Sequence, residues 1–174
     1  MQRSWLRRNA LALTALGVLL VGAIAGIGGP AWWSRHETMP VFPHTVAAGE
    51  TGAFGGATWR VRSVEDVSTE VTSPLPPGGR AITVTVEVSP SDDELACSII
   101  RLSEIGGSHR QWNANPPDLD VPYDPEVDAF CDASDGDFLL GLSFLVPRQV
   151  DGALALDIPV QGETPAFVRL ELPR

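Results

Sequence analysis

The sequence predicts an all-β domain, a two-sheet antiparallel sandwich, that follows one N-terminal transmembrane helix. Residues 10–27 carry no charge, and Arg3, Arg7 and Arg8 precede them. Beyond residue 50, short segments of alternating apolar and polar residues are separated by turns rich in Gly and Pro. This pattern is typical of β-sandwich domains, and no amphipathic helix interrupts it.

The N-terminal segment divides into a cytoplasmic end, 1–9, and a membrane anchor, 10–33. Eighteen helical residues span about 27 Å, close to a hydrocarbon core of about 30 Å. The arginine flank keeps the N-terminus in the cytoplasm, and Trp32 and Trp33 suit the membrane–water boundary. The alternative is a cleaved secretory signal, with a small-residue cleavage site at 23–25. Both interpretations export the rest of the chain, and the first makes the lipid bilayer a partner of the helix.

The exported part is strongly acidic. Eight of the 12 Lys and Arg residues and all 22 Asp and Glu residues lie beyond position 35, a formal charge of −14. Phosphates would be repelled, so we expect neither nucleic acid nor anionic lipid head groups as partners of this domain.

The elements follow in order from a tether, 34–50, to the sandwich domain, 51–174. We expect strands at 59–64, 80–88 and 97–105. In the second of these, Ile, Val and Val alternate with Ala and Thr, which gives one apolar face. Gly106 and Gly107 predict a hairpin that returns to residue 113.

The last third of the sequence predicts three more strands, at 138–146, 153–160 and 167–172. A Pro at 147 and Gly residues at 152 and 162 mark the turns between them.

An acidic loop, residues 115–137, separates the hairpin from the last three strands. It carries four prolines and eight acidic residues. Cys131 lies inside it, and Cys97 is the other cysteine of the chain. Outside the cytoplasm we expect these two to form a disulfide. A metal site or a reactive thiol is disfavoured, because neither a histidine nor a basic residue stands beside the cysteines in sequence.

The acidic loop is also the expected binding surface. A long loop in a compact domain is often functional, and this one mixes aromatic and acidic side chains. The partner would carry positive charge, so that binding weakens with salt. The alternatives are that Tyr123 and Phe130 merely pack the loop onto the sandwich, and that the domain is a structural spacer. The residues of this expected surface are Asp118, Asp120, Tyr123, Asp124, Glu126, Asp128 and Phe130.

A weak calcium site is a further alternative. Asp132, Asp135 and Asp137 surround a glycine, but they do not follow the spacing of the helix–loop–helix calcium motif, and solvated acids are the preferred interpretation. We therefore expect no metal or cofactor. The three histidines, His36, His44 and His109, belong to no recognised catalytic motif, so an enzyme is disfavoured.

Three segments resemble the bacterial telokin-like extracytoplasmic domains, an immunoglobulin-like family of unknown function. They are 79–88 (GRAITVTVEV), 102–109 (LSEIGGSH) and 140–147 (LGLSFLVP). The resemblance covers roughly residues 46–172 and implies an immunoglobulin-like antiparallel β-sandwich in the cell envelope. It implies no catalytic residues, and the cysteine pair is not a general feature of that family. The sequence as a whole therefore predicts a membrane-anchored extracytoplasmic module that binds an envelope protein or another ligand.

Overall fold

The computed structural model describes residues 2–28, 39–91, 95–122, 124–131 and 136–173. The chain forms two compact units, Met1–Met39 and Pro40–Arg174.

The first unit is helical. An α-helix, α1, covers Gln2–Ala23, and one π-helical turn, Ile24–Gly28, continues it. Within these elements Arg8–Gly26 has a mean hydropathy of 2.0 and no residue buried by other parts of the protein. This confirms one helix that is long and apolar enough to cross a membrane, a property that a secretory signal shares. The rest of the predicted anchor, with Trp32 and Trp33, lies outside the described residues.

The described residues of the second unit form two β-sheets. The five-stranded sheet has the order β1-β9-β8-β5-β6, and the four-stranded sheet has the order β2-β3-β4-β7. The strands are β1 Phe42–Val46, β2 Thr51–Phe54, β3 Ala57–Asp66, β4 Gly79–Pro90, β5 Arg101–Ile105, β6 Gln111–Asn113, β7 Phe138–Pro147, β8 Ala153–Ile158 and β9 Ala166–Glu171.

The core lies between the two sheets and follows from the alternation in β4 and β7. Val84, opposite Leu142, and Val86, opposite Leu140, are fully buried, whereas the intervening Thr and Gly residues face outward. The five-stranded sheet contributes Leu102, Leu156 and other aliphatic side chains to the same cluster. Burial of each such side chain stabilises the fold by about 1.5–3 kcal/mol.

The strand order is that of an immunoglobulin-like sandwich. In that fold, strands A, B and E are neighbours in one sheet, and C, F and G form the other. Here β3-β4-β7 and β5-β8-β9 occupy these places. The predicted β-sandwich is confirmed.

One boundary and one strand direction at the start of the domain need correction. The predicted tether, 34–50, contains β1, so the sandwich begins at Phe42 and not at residue 51. Moreover, β1 runs parallel to β9, with Phe42 opposite Ala166, although the sequence predicts antiparallel pairing throughout. The apolar alternation of β1 is hard to detect because Pro43 interrupts it and Val46 alone in the strand is buried. Proline is tolerated there because β1 is an edge strand.

The strand predicted at 97–105 is shorter in the structure. Only Arg101–Ile105 forms β5, and Cys97 makes an isolated bridge to Val160. The predicted hairpin at Gly106 and Gly107 is confirmed: both glycines have positive φ, and β5 and β6 pair antiparallel across them.

Candidate recognition site

The acidic loop does not extend freely into solvent, because it covers the open edge of β7. Asp128 forms a parallel bridge with Leu140 at this edge. Its backbone N–H donates to the Leu139 carbonyl at 2.7 Å, and its carbonyl accepts from the Gly141 N–H at 2.8 Å. Val127 comes so close that a Cβ added at Gly141 would lie 2.3 Å from its Cγ1. A strand edge that would otherwise expose unpaired backbone groups is thereby closed.

Asn115 holds the other end of the loop to the same strand. Its backbone N–H donates to the Ser143 carbonyl at 2.8 Å, and its Oδ1 accepts from the Ser143 N–H at 2.8 Å. Asn115 has a φ of 47°, a left-handed conformation that asparagine tolerates better than most residues. Its Nδ2 also donates to the carbonyl of Ala129, which ties the start of the loop to the segment before Cys131.

The predicted disulfide is confirmed. Cys97 and Cys131 are bonded, with their Cα atoms 5.5 Å apart. Cys97 itself pairs with Val160, which follows β8 in the five-stranded sheet, whereas the loop covers the edge of the four-stranded sheet. The disulfide thus links the loop to the sheet on the other side of the core.

Several of the predicted binding residues have local structural roles. The side chain of Asp120 accepts a hydrogen bond from the Thr72 hydroxyl, and its carbonyl accepts from the Thr72 N–H at 3.2 Å. Asp124 Oδ1 accepts from the Glu126 N–H at 2.9 Å. Asp128 pairs with β7 through its backbone. These acids shape the loop, so they are not all available to a partner.

Other predicted residues remain on the surface. The side chains of Asp118 and Glu126 make no hydrogen bond or ion pair with any residue that the structure describes, and both are exposed. Phe130 is 79% exposed, directly beside the disulfide. The alternative in which Phe130 packs the loop onto the sandwich therefore does not fit the structure. Tyr123 lies outside the described residues.

The positions of the described residues do not support the alternative of a calcium site. Asp137 is exposed in the bend before β7, and Asp132 and Asp135 lie outside the described residues. Among the residues that are described, no group of three His, Cys, Asp or Glu side chains is arranged to hold a metal ion.

Sequence reasoning missed two ion pairs at the five-stranded sheet, in each of which a partly exposed arginine meets a buried carboxylate. Glu104, on β5, accepts from Arg110 Nε at 2.9 Å and from Arg110 Nη2 at 3.2 Å. Asp157, on β8, accepts from Arg169 Nε at 2.6 Å and from the Ser103 hydroxyl at 2.5 Å. The only signal in the sequence was an acid inside an apolar strand, which does not identify its partner.

The pKa of Glu104 is lowered to about 2. The main cause is the hydrogen bond from Arg110, which outweighs the desolvation that would raise the pKa. The backbone N–H groups of Asp151 and Gly152 also donate to Glu104 Oε1, at 3.2 and 3.0 Å. All these donors favour the carboxylate, so Glu104 acts as a charged anchor for the turn between β7 and β8.

Comparison with known proteins yields one structural likeness. No family model matches the chain, and no curated protein matches it. Among solved structures, an uncharacterized β-sandwich protein from Clostridium difficile 630 is similar, with a TM-score of 0.42 and 10% identity. The match covers 74% of this chain and 93% of that chain. At these values it carries no argument about function, and membership of the telokin-like family stays a prediction.

Proposed function

We propose that this chain is a membrane-anchored, extracytoplasmic recognition module that binds a basic envelope protein through the outer surface of its acidic loop. The observation that carries the proposal is Phe130, a large aromatic side chain that is 79% exposed on a loop fixed by hydrogen bonds and a disulfide. Exposed aromatic residues on rigid supports lose little conformational entropy when they bind, and they are enriched at interfaces.

The place in the cell follows from two supporting features. Disulfides persist in oxidising compartments outside the cytoplasm, and Cys97 and Cys131 are bonded. The apolar helix is long enough to anchor the chain in a membrane. Together they support a sandwich domain held at the outer face of the membrane.

The charge of the loop supports a basic partner. Asp118 and Glu126 face solvent without partners among the described residues, so their charges are available for long-range attraction. Such charges mainly speed association and set the choice of partner, while a central aromatic residue contributes most to affinity.

The test is site-specific photo-crosslinking of the full chain in intact cells, with the crosslinking amino acid at position 130 or at position 108. Ser108 is the control, since it is exposed in the β5–β6 hairpin, at the other end of β5 from the disulfide. We expect a defined crosslinked protein from position 130 only, and less of it at high salt.

A second arm separates charge from loop structure. The double substitution Asp118→Asn and Glu126→Gln removes two charges without breaking a hydrogen bond of the described loop, and we expect it to weaken the crosslink. Equal crosslinking from positions 108 and 130, or a crosslink insensitive to both salt and the double substitution, would reject this function.

A further inference from the structure

A cleft of about 620 Å³ opens at one end of the sandwich, and its lining contains no residue of the acidic loop. It lies where β3 ends, β4 begins and β8 begins. Its apolar lining comes from both sheets and includes Val64, Ile82, Leu154 and Leu172. The volume falls in the range of small-molecule sites, which combine apolar walls with a few polar groups.

Arg80 is the unusual residue of this cleft. It stands opposite Val146 in the β4–β7 ladder and continues the inward-facing row of Ile82 and Val84. An arginine therefore occupies a position that points between the sheets. Its Nε is buried and has no hydrogen-bond partner among the residues that the structure describes. Buried donors are nearly always paired in proteins. The rest of the Arg80 guanidinium also makes no hydrogen bond or ion pair with a described residue, and Arg80 lines the cleft, so its Nη groups are open to an acceptor that enters there.

The other charges of the cleft are acidic. Asp66, opposite Ile82 in the ladder, accepts from the backbone N–H and the hydroxyl of Ser68. Glu65 and Asp151 also line the cleft. Because Glu65 stands opposite the outward-facing Thr83, its side chain points away from Arg80. Arg80 thus shares the cleft with apolar side chains and with the carboxylates of Asp66 and Asp151.

One wall of the cleft is held in place from behind. Asp151 and Gly152 belong to the lining, and both donate their N–H groups to Glu104, which Arg110 neutralises. A Cβ at Gly152 would lie 2.6 Å from the Ile105 carbonyl oxygen, so the chain passes very close to β5 here. The wall is therefore preorganised without a ligand.

We propose that this cleft binds a small zwitterionic molecule with an aliphatic side chain, of the class of apolar amino acids and short apolar peptides. Its carboxylate would accept hydrogen bonds from the Nη groups of Arg80, its ammonium group would face Asp66 and Asp151, and its side chain would cover Ile82 and Leu154. A simple anion is disfavoured because the carboxylates of the cleft repel it, and a simple cation leaves Arg80 unpaired.

The probe is L-leucyl-L-leucine, titrated by calorimetry into the full chain in detergent micelles. Two capped forms serve as matched probes: N-acetyl-leucyl-leucine lacks the ammonium group, and leucyl-leucinamide lacks the carboxylate. We expect saturable binding of the free dipeptide and about 10- to 100-fold weaker binding of each capped form, the factor for a lost charge-assisted hydrogen bond.

Variants assign the effect to Arg80. In Arg80→Gln the free dipeptide should bind no better than its amide, whereas Arg62→Gln, an exposed arginine on β3 outside the cleft lining, should bind like the wild type. The melting temperature of the wild type should rise with the dipeptide. That measurement decides the question even if Arg80→Gln does not fold.

Absence of saturable binding at millimolar dipeptide, or equal binding of all three probes, would overturn the inference. The substitution Phe130→Ser should leave dipeptide binding unchanged. Failure of the cleft and failure of the proposed loop surface are therefore distinguishable.

Discussion

The covered edge of β7 and the open cleft differ in whether their polar groups have hydrogen-bond partners within the chain. At the edge, the chain supplies partners for its own strand: Asn115 pairs with Ser143, and Asp128 pairs with residues beside Leu140. In the cleft, Arg80 keeps a buried Nε for which the described chain offers no acceptor. The first arrangement stabilises the fold. The second lowers the stability of the fold, as binding sites often do, and leaves the Arg80 guanidinium without an acceptor from the described chain.

The largest effect on this comparison should come from the disulfide. In the chain-entropy model, closing a loop of 34 residues lowers the conformational entropy of the unfolded chain and thereby stabilises the fold by about 3–4 kcal/mol. We expect the double substitution Cys97→Ser and Cys131→Ser to lower the free energy of unfolding by about that amount in urea denaturation. Reduced wild type is the control and should match the variant. If oxidised protein and variant unfold at the same urea concentration, the loop is held by its hydrogen bonds alone.

A smaller effect is expected where the loop touches β7. The substitution Gly141→Ala places a Cβ 2.3 Å from Val127 Cγ1, so the Val127 side chain or the loop that carries it must shift. Overpacking of this kind costs about 1–3 kcal/mol. Adding Val127→Ala should recover part of the loss, because the clashing methyl is removed. Strictly additive losses in this double-mutant cycle would show that the two residues do not meet.

The stability that Glu104 contributes behind the wall of the cleft should depend on pH. Since the folded pKa of Glu104 is lowered from 4.5 to about 2, its contribution to stability is complete above about pH 4.5 and is lost as the pH falls towards 2. We expect melting temperatures of the wild type to approach those of Glu104→Gln across this window. Glu87→Gln, an exposed ion-pair residue, is the control and should not change the pH profile in the same way. Parallel profiles for wild type and Glu104→Gln would mean that this carboxylate is not held by Arg110 in solution.

The smallest effect on stability is expected at Phe130. Because its side chain is mostly in solvent, Phe130→Ser should change the free energy of unfolding by less than about 0.5 kcal/mol. Thermal melts of the full chain measure this directly. A loss above about 2 kcal/mol would indicate that Phe130 is packed, and the aromatic residue would then be part of the edge cover and not of a recognition surface.

Part of this structure was predictable from local patterns, and part was not. The strict alternation in 80–88 and 140–146 predicted β4 and β7, because the period of a strand needs no distant partner to be recognised. The role of the acidic loop was not predictable, because Asp128 looks like any solvated acid until β7 lies beside it. The position of Arg80 was partly predictable, since it lies two residues before Ile82 and therefore on the same face of the strand. That spacing alone does not reveal that its Nε lacks a hydrogen-bond partner.

The sequence by itself determined an apolar helix, an acidic domain built of alternating strands, and two cysteines suited to an oxidising compartment. These depend on composition and on nearest-neighbour periodicity. Only the tertiary structure decided that β1 pairs in parallel with β9, that the loop closes an edge, and that Arg80 faces a cleft. Those outcomes depend on contacts between residues far apart in the chain, and hydrogen-bond partners and cavities do not exist until the two sheets pack together.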